Sequence, residues 1–261
     1  MSNFQKNQKK SLYCIKSIKK AMDLLNCFKQ YKELSVIELS KKLNLNKSTV
    51  YRILVTLESG DFIRKNEITK KYGLGIKNLE LGNIMKKQIE IRSYAFPIME
   101  NLARKTQESI DLNIIVNNKR VSIEEIESPH DIRKVIKLGE SLPLCVGASG
   151  TAILAFLPDN EINKIIEREN ISGSGQIKIA DTKKLMEHLK EIRREGFAIS
   201  VQERVIGAGA VAAPIFNSHG NVIASLSISG PVTRFSKKKL KFYISLVKES
   251  ASKISVSLGY I

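Results

Sequence analysis

Residues 35–58, SVIELSKKLNLNKSTVYRILVTLE, decide how this chain is read. Val36, Leu39 and Leu43 fall at i, i+3 and i+7, one apolar stripe at the 3.6-residue period of a helix. Asn44-Leu45-Asn46 then supplies a corner, because asparagine is among the few residues other than glycine that tolerate the left-handed conformation of a sharp bend. Asn46 also suits the N-cap of the next helix. From Lys47 onward Val50, Leu54 and Leu57 recur at i, i+4 and i+7, leaving Lys47, Ser48, Thr49, Tyr51 and Arg52 at the exposed N-terminal end. Two short helices joined by a tight turn, with cations and hydroxyls on the second, imply a helix-turn-helix that reads DNA. Arginine can pair bidentately with guanine, serine and threonine can meet base edges or phosphates, and lysine supplies a phosphate contact.

Working outward, the first ten residues are polar and basic and read as a flexible tail. Ile15, Ile18, Met22, Leu25 and Phe28 then form the stripe of a first amphipathic helix. On the other side, residues 62–72 read as a two-stranded hairpin with a polar, cationic tip, closed by Gly73 and Gly75. Three helices followed by such a hairpin make a winged helix-turn-helix over residues 11–76. Ser17 and the wing lysines Lys65, Lys70 and Lys71 are further candidates for phosphate contacts. The charge agrees: of a net +17, residues 1–77 hold 17 Lys and Arg against 6 Asp and Glu, which leaves 26 against 20 for the rest. A uniformly lysine-rich surface would not concentrate +11 in the first third.

A linker helix is expected over residues 77–92, and a second helix from Tyr94 to Lys105 starting near Pro97. Beyond it, Ile110–Val116 and Arg120–Glu127 are β-rich runs around an Asn117-Asn118-Lys119 turn, Arg133–Leu138 reads as a third strand, and residues 139–143 as a loop. Helices are expected over Ala148–Leu157, Glu161–Glu169 and Thr182–Glu195, with a Gly-Ser linker at 172–175. Strands over Phe197–Val201, Gly209–Phe216 and Val222–Ser229 and a closing helix over Leu240–Leu258 complete the pattern. A mixed antiparallel sheet flanked by helices over residues 93–261 makes the fold class α+β.

The three cysteines, Cys14, Cys27 and Cys145, are odd in number and widely spaced, so neither a disulfide framework nor a metal site is indicated. The start of the chain lacks the apolar core of a signal peptide, and the longest nearly apolar runs are about 12 residues, too short to span a bilayer. A cytoplasmic protein without a membrane partner is expected. Gly207-Ala208-Gly209-Ala210-Val211-Ala212 fits G-x-G-x-x-A, where an enzyme reading would begin. The nucleotide fingerprint needs a helix after its glycines and an acid about 20 residues on. Here Pro214 and β-branched residues follow, and no Asp or Glu lies between Glu203 and Glu249. The glycines better relieve a strand bend or line a pocket. Gly147-Ala148-Ser149-Gly150 lacks the second spacing of a nucleophile elbow, and His130, His188 and His219 have no triad company. No catalytic residue and no cofactor are expected.

Nearly the whole chain resembles the IclR-type bacterial transcription regulators. Residues 15–21 (IKSIKKA) look like that family's opening helix motif, residues 47–54 (KSTVYRIL) its recognition helix, and Tyr72-Gly73-Leu74-Gly75 the close of its wing. In the second half, residues 139–144 (GESLPL) and 150–155 (GTAILA) resemble the pocket loop and helix. Glu203 with Gly207, residues 213–216 (APIF), residues 227–231 (SISGP) and Leu258-Gly259 continue the series in order and spacing. The resemblance implies a homodimer or dimer of dimers on a (pseudo)palindromic double-stranded operator. It also implies a PAS- or GAF-like second domain that senses a small metabolite, often an organic or aromatic acid, and mediates oligomerisation. Carried over to this chain, the effector is expected between Leu142, Ala148, Ser149, Ser200, Ala208, Ala210, Ser227 and Ser229. Hydroxyls would orient a polar ligand, alanines leave room, and a helix N-terminus at residues 147–150 favours its negative end. A lysine common in the family is replaced by Thr151, and an acid found in some members by Ser200. Orientation is therefore expected to rest on neutral hydrogen bonds.

Overall fold

The computed structural model describes residues 14–172 and 182–261, so the basic tail and nearly all of the Gly-Ser linker lie outside the described residues. The chain divides into two compact units, residues 1–88 and 89–261.

In the first unit α1 (Lys16–Cys27), α2 (Val36–Leu43) and α3 (Lys47–Ser59) pack around Leu24, Leu39, Val50 and Leu54, all fully buried. Burial of each such side chain is worth about 1.5–3 kcal/mol. Ser35 starts α2 with a capping box: its hydroxyl accepts from the Glu38 N–H while the Glu38 carboxylate accepts from the Ser35 N–H. Asn44 ends it in the left-handed conformation, at φ 51° and ψ 49°. Asn46 occupies the N-cap of α3, as expected, but its side chain makes no capping bond there. The expected stripe of α1 is corrected. Ile15, Ile18 and Met22 are more than half exposed, and the buried residues are Leu24 and Phe28, because only the C-terminal half of α1 contributes to this core.

The wing is the hairpin β1 (Ile63–Lys65) and β2 (Tyr72–Leu74), with Leu34 bridged to Tyr72 as a third, one-residue strand. Gly73 therefore lies within β2 and only Gly75 beyond it. The tip is held by Asn66, whose Oδ1 accepts from the Ile68 and Thr69 N–H groups, and by Glu33, whose carboxylate accepts from Asn66 Nδ2 and Thr69 Oγ1. Helix α4 (Lys77–Gln88) closes the unit.

The second unit opens with α5 (Glu90–Thr106). The expected helix start near Pro97 is corrected: α5 begins at Glu90, after Ile89, whose extended φ −81° and ψ 94° make it the N-cap, and Pro97 lies inside α5. Proline removes one backbone donor within a helix, and the neighbouring buried residues Ile91, Ala95, Met99 and Leu102 hold α5 on the core despite that loss. Six antiparallel strands follow in the spatial order β5-β4-β3-β8-β7-β6: β3 (Ser109–Val116), β4 (Lys119–Ile126), β5 (Ser141–Pro143), β6 (Ala198–Val201), β7 (Ala208–Phe216) and β8 (Val222–Pro231). The β3–β4 turn has Asn117 and Asn118 at φ 52° and 62°, the left-handed pair of a type I′ hairpin. Two strand expectations are corrected. Arg133–Leu138 pairs with no strand, since its backbone is held by side chains (the Ile136 N–H donates to Glu125 Oε1, and the Lys134 carbonyl accepts from Ser109 Oγ), whereas Ser141–Pro143, expected in a loop, pairs with β4.

The sheet is two-faced. Ile110, Leu112, Val211, Ala213, Ile215, Ala224, Leu226 and Ile228 point to one side and pack with α5 and α9 (Lys237–Ser257). On the other side lie Asp111, Asn113, Arg120, Ser122, Ser225, Ser227 and Ser229, polar and all buried. Helix α6 (Gly147–Leu154) covers part of that face, backed by α7 (Asp159–Ser172) and α8 (Thr182–Glu195) through Ile162, Ile165, Leu189 and Ile192. Glu108, only 1 % exposed, ties the ends of β3 and β8 together through a bidentate pair with Arg234 at 2.6 and 2.7 Å.

Asn44 tests the corner that sets α2 against α3. Asn44→Val should destabilise the first unit by about 1–2 kcal/mol, because a β-branched residue resists positive φ, whereas Asn44→Gly should be nearly neutral. Calorimetry of the full chain reads both; equal effects would mean that backbone conformation does not govern this turn.

Candidate DNA interface and buried cavity

All nine residues expected to meet DNA lie at the surface of the first unit. Ser17, Lys47, Ser48, Tyr51, Arg52, Lys65 and Lys70 are exposed, and Thr49 and Lys71 half-buried. Ser17, Thr49 and Arg52 converge on one groove between α1 and α3, with Ile18, Ala21 and Ile53 as its floor and a volume of about 390 Å³. The first turn of α3 carries no acidic residue, so its helix dipole presents uncompensated positive charge beside Lys47. On the wing Lys70 pairs with Glu67 at 3.1 Å and Lys71 with Glu38 at 3.5 Å. Such exposed pairs are weak in water, so both lysines can exchange their partners for phosphates. Tyr51 is 54 % exposed and therefore free to face a ligand rather than buried under the wing.

In the second unit, the eight residues expected around an effector all line one cavity of about 50 Å³. Leu142 comes from β5, Ala148 and Ser149 from the start of α6, Ser200 from β6, Ala208 and Ala210 from β7, and Ser227 and Ser229 from β8. Two glycines set the start of α6 beside it. Gly147 begins α6 at φ 71°, and a Cβ on Gly150 would stand 2.6 Å from the Leu144 carbonyl oxygen, so neither position accepts a side chain without strain. Gly207, at φ 80°, leads into strand β7 rather than into a helix, which removes the context a dinucleotide site requires.

The expectation of a neutral cavity is corrected. Asp111, Arg120, Lys134, Lys137, Glu140, Glu203 and Arg204 also line it. Arg120 is held by its Nη1, which donates to Asn113 Oδ1 at 3.0 Å, and Ser122 Oγ donates to the same oxygen at 2.8 Å. Asn113 Nδ2 in turn donates to Asp111 Oδ2 at 2.5 Å, and Ser227 Oγ donates to Asp111 Oδ1. Arg204 pairs with Glu140 at 3.7 Å. Burial lowers the Arg120 and Lys134 pKa values, Asp111 acting against it and the Arg204 charge adding to it. Beside the cavity, burial pushes the Glu125 carboxyl up to about 7 even though it accepts a bond from the Ile136 N–H at 3.0 Å. Burial also pushes the Cys145 thiol up to about 11, far from a reactive thiolate. None of the three histidines lines the cavity.

These charges were legible only as spacing. Asp111 and Asn113, or Arg120 and Ser122, stand two apart in β-rich runs, the period that brings side chains to one face. What covers that face is a tertiary fact that the run itself does not carry.

Two family models account for most of the chain: the IclR helix-turn-helix domain matches residues 17–67, and the bacterial transcriptional regulator IclR C-terminal domain matches residues 85–256. The chain belongs to the IclR family. The regulator KipR of Bacillus subtilis is 32% identical over 245 residues, which cover 94% of this chain and 98% of KipR. The regulator KdgR of Escherichia coli is 31% identical, with 94% of each chain covered. Among solved structures, the Thermotoga maritima IclR superposes with a TM-score of 0.76 at 31% identity, over 94% of this chain and 99% of that one. This IclR-family chain is a DNA-binding transcription regulator, not an enzyme. No helix among its described residues is long and apolar enough to cross a membrane.

If Arg52 reads a base, Arg52→Ala should cost about 1–3 kcal/mol on the specific site and little on random duplex. Lys47→Ala should weaken both and reduce the slope of log affinity against log salt by about one unit. Fluorescence anisotropy across a salt series separates these outcomes, and equal losses on both DNAs would demote Arg52 to a phosphate contact. Glu125 generates a second expectation. Its pKa is raised in the folded chain, so between the ordinary carboxylate range and about 7 the folded state holds a proton that the unfolded state has released. Stability from this group is full below that window and falls as pH rises through it. Glu125→Gln should flatten that part of the stability profile, and a profile parallel to the wild type would show that Glu125 is not the source.

Proposed function

We propose that the second unit is the sensor of this regulator: a small organic acid enters the cavity and changes operator affinity. Sensing needs a ligand to bind one arrangement of the protein better than another, and the cavity supplies the means to hold an anion. The observation that carries this reading is the convergence of eight residues from four strands and one helix start on a single cavity. The first turn of α6 is uncapped by any side chain at Val146, so its free N–H groups remain available to a carboxylate. One helix-turn-helix offers few base contacts. The protein therefore works in the cytoplasm as a homodimer or dimer of dimers on a (pseudo)palindromic operator, with half-sites on one face of the duplex.

A thermal-shift screen of the full chain against a metabolite library, neutral and charged, should yield ligands that alter operator binding. Ala148→Leu fills the cavity and should abolish both the thermal shift and the change in operator affinity. A mutant that keeps wild-type ligand affinity would put the sensor site elsewhere.

A further inference from the structure

Ile68 stands at the tip of the wing, in the turn between β1 and β2, and is 93 % exposed; among the described residues only Ile261 is a more exposed large apolar side chain. Single apolar residues are ordinary on a surface, but this one is neither at a usual position nor loosely held. Turn tips favour Gly, Asn, Asp and Ser, and a β-branched residue with nothing to pack on adds nothing to the fold there. The tip is nevertheless braced. The Ile68 and Thr69 N–H groups donate to Asn66 Oδ1 at 3.0 and 3.1 Å, while Asn66 Nδ2 and Thr69 Oγ1 donate to the two carboxylate oxygens of Glu33 at 3.0 and 3.1 Å. Beneath the tip the Lys70 N–H donates to the Asn66 carbonyl and the Asn66 N–H to the Lys71 carbonyl, each at 2.8 Å. An aliphatic side chain is thus presented on a backbone already ordered, so little ordering cost remains when a partner arrives. Around it, residues 64–71 hold the cations Arg64, Lys65, Lys70 and Lys71 and one acid, Glu67, which Lys70 pairs at 3.1 Å. One apolar tip within a rim of cations matches a groove walled by phosphates and floored by bases.

We infer that Ile68 is a specificity residue of this regulator: with α3 in the major groove, the wing tip enters the adjacent minor groove, and Ile68 packs on its floor and favours A·T pairs there. Strand β1 follows α3 directly, and the Phe62 N–H donates to the Leu57 carbonyl at 3.0 Å, so the hairpin is fixed to the end of that helix. In the minor groove A·T and T·A present only the adenine N3 and thymine O2 acceptors, whereas G·C adds the protruding guanine 2-amino group. The isoleucine side chain fills the space that group would take and offers its N–H no acceptor. A-tracts also have a narrow minor groove of enhanced negative potential, which suits the flanking lysines.

The test uses the full chain and duplexes that it selects from a random library. Base pairs beside the α3 contacts should be enriched in A·T, and selection with Ile68→Ala should lose that enrichment while keeping the bases read by α3. On a selected duplex Ile68→Ala should bind about tenfold more weakly. Its slope of log affinity against log salt should not change, because no phosphate contact is lost. Ile68→Leu, still apolar, should lose less. Replacing the flanking adenines one at a time by 2,6-diaminopurine adds a 2-amino group to the minor groove and leaves the major-groove face as it was. The wild type should lose affinity at the pairs under the tip, where Ile68→Ala should be indifferent. Melting curves establish that the variants are folded. Selected sites without A·T enrichment, unchanged affinity in Ile68→Ala, a reduced salt slope, or equal sensitivity of both proteins to every added amino group would each overturn the inference. Weaker self-association of Ile68→Ala in sedimentation, with duplex affinity unchanged, would also overturn it and assign the tip to a second copy of the chain.

Discussion

The structure of the second unit depends on one constraint: a six-stranded sheet that buries both faces but is uniformly apolar on only one, the other mixing an apolar patch under α6 (Ala198, Ala212, Val222) with buried polar groups. The period of two along β3, β7 and β8 sends Ile110, Leu112, Val211, Ile215, Leu226 and Ile228 into the core with α5 and α9. The same period obliges Asp111, Asn113, Ser225, Ser227 and Ser229 to face the other way. A polar face can be buried only if its groups bond to one another or to something that enters. Most do so internally. Asn113 links Arg120, Ser122 and Asp111, and Ser225 Oγ donates to the Ser149 carbonyl beneath α6 at 2.9 Å. Among the described residues two atoms, Arg120 Nε and Ser229 Oγ, are left where that network ends.

The first unit meets a different requirement, to hold a helix start against DNA. Its core is small, so local devices carry much of the definition: the Ser35–Glu38 capping box, the left-handed Asn44 and the Asn66–Glu33 clasp at the wing. Each fixes a backbone direction rather than adding much burial. Of the wing cations, Lys70 and Lys71 are engaged in exposed ion pairs with Glu67 and Glu38, which water screens.

Much of this was legible in the sequence because it is written in local periods and turn residues. Val36, Leu39 and Leu43 specify α2 whatever follows, and Asn117-Asn118 specifies a hairpin. What failed needed partners remote in sequence. The apolar residues of Arg133–Leu138 read as a strand, but its backbone bonds to Glu125 and Ser109 side chains instead. Ser141–Pro143 looks like a loop and is an edge strand because Val121 and Arg120 lie opposite. Ile15, Ile18 and Met22 have helical spacing, yet spacing does not say how far along a helix its neighbours reach. The cavity residues that were found lie on motifs shared with a family. Arg120, Lys134 and Arg204 lie on none of those motifs, and only the folded arrangement brings their charges together.

The central claim is that occupancy of the cavity and grip on DNA are coupled, and coupling is reciprocal. The most direct measurement is therefore a linkage pair on the full chain, using a duplex that the protein itself selects from a random library. Duplex affinity would be measured with the cavity empty and saturated, and ligand affinity with and without the duplex. The account predicts the same factor in both directions, on the order of 5–150-fold. Duplex affinity that stays constant while the cavity fills would contradict it.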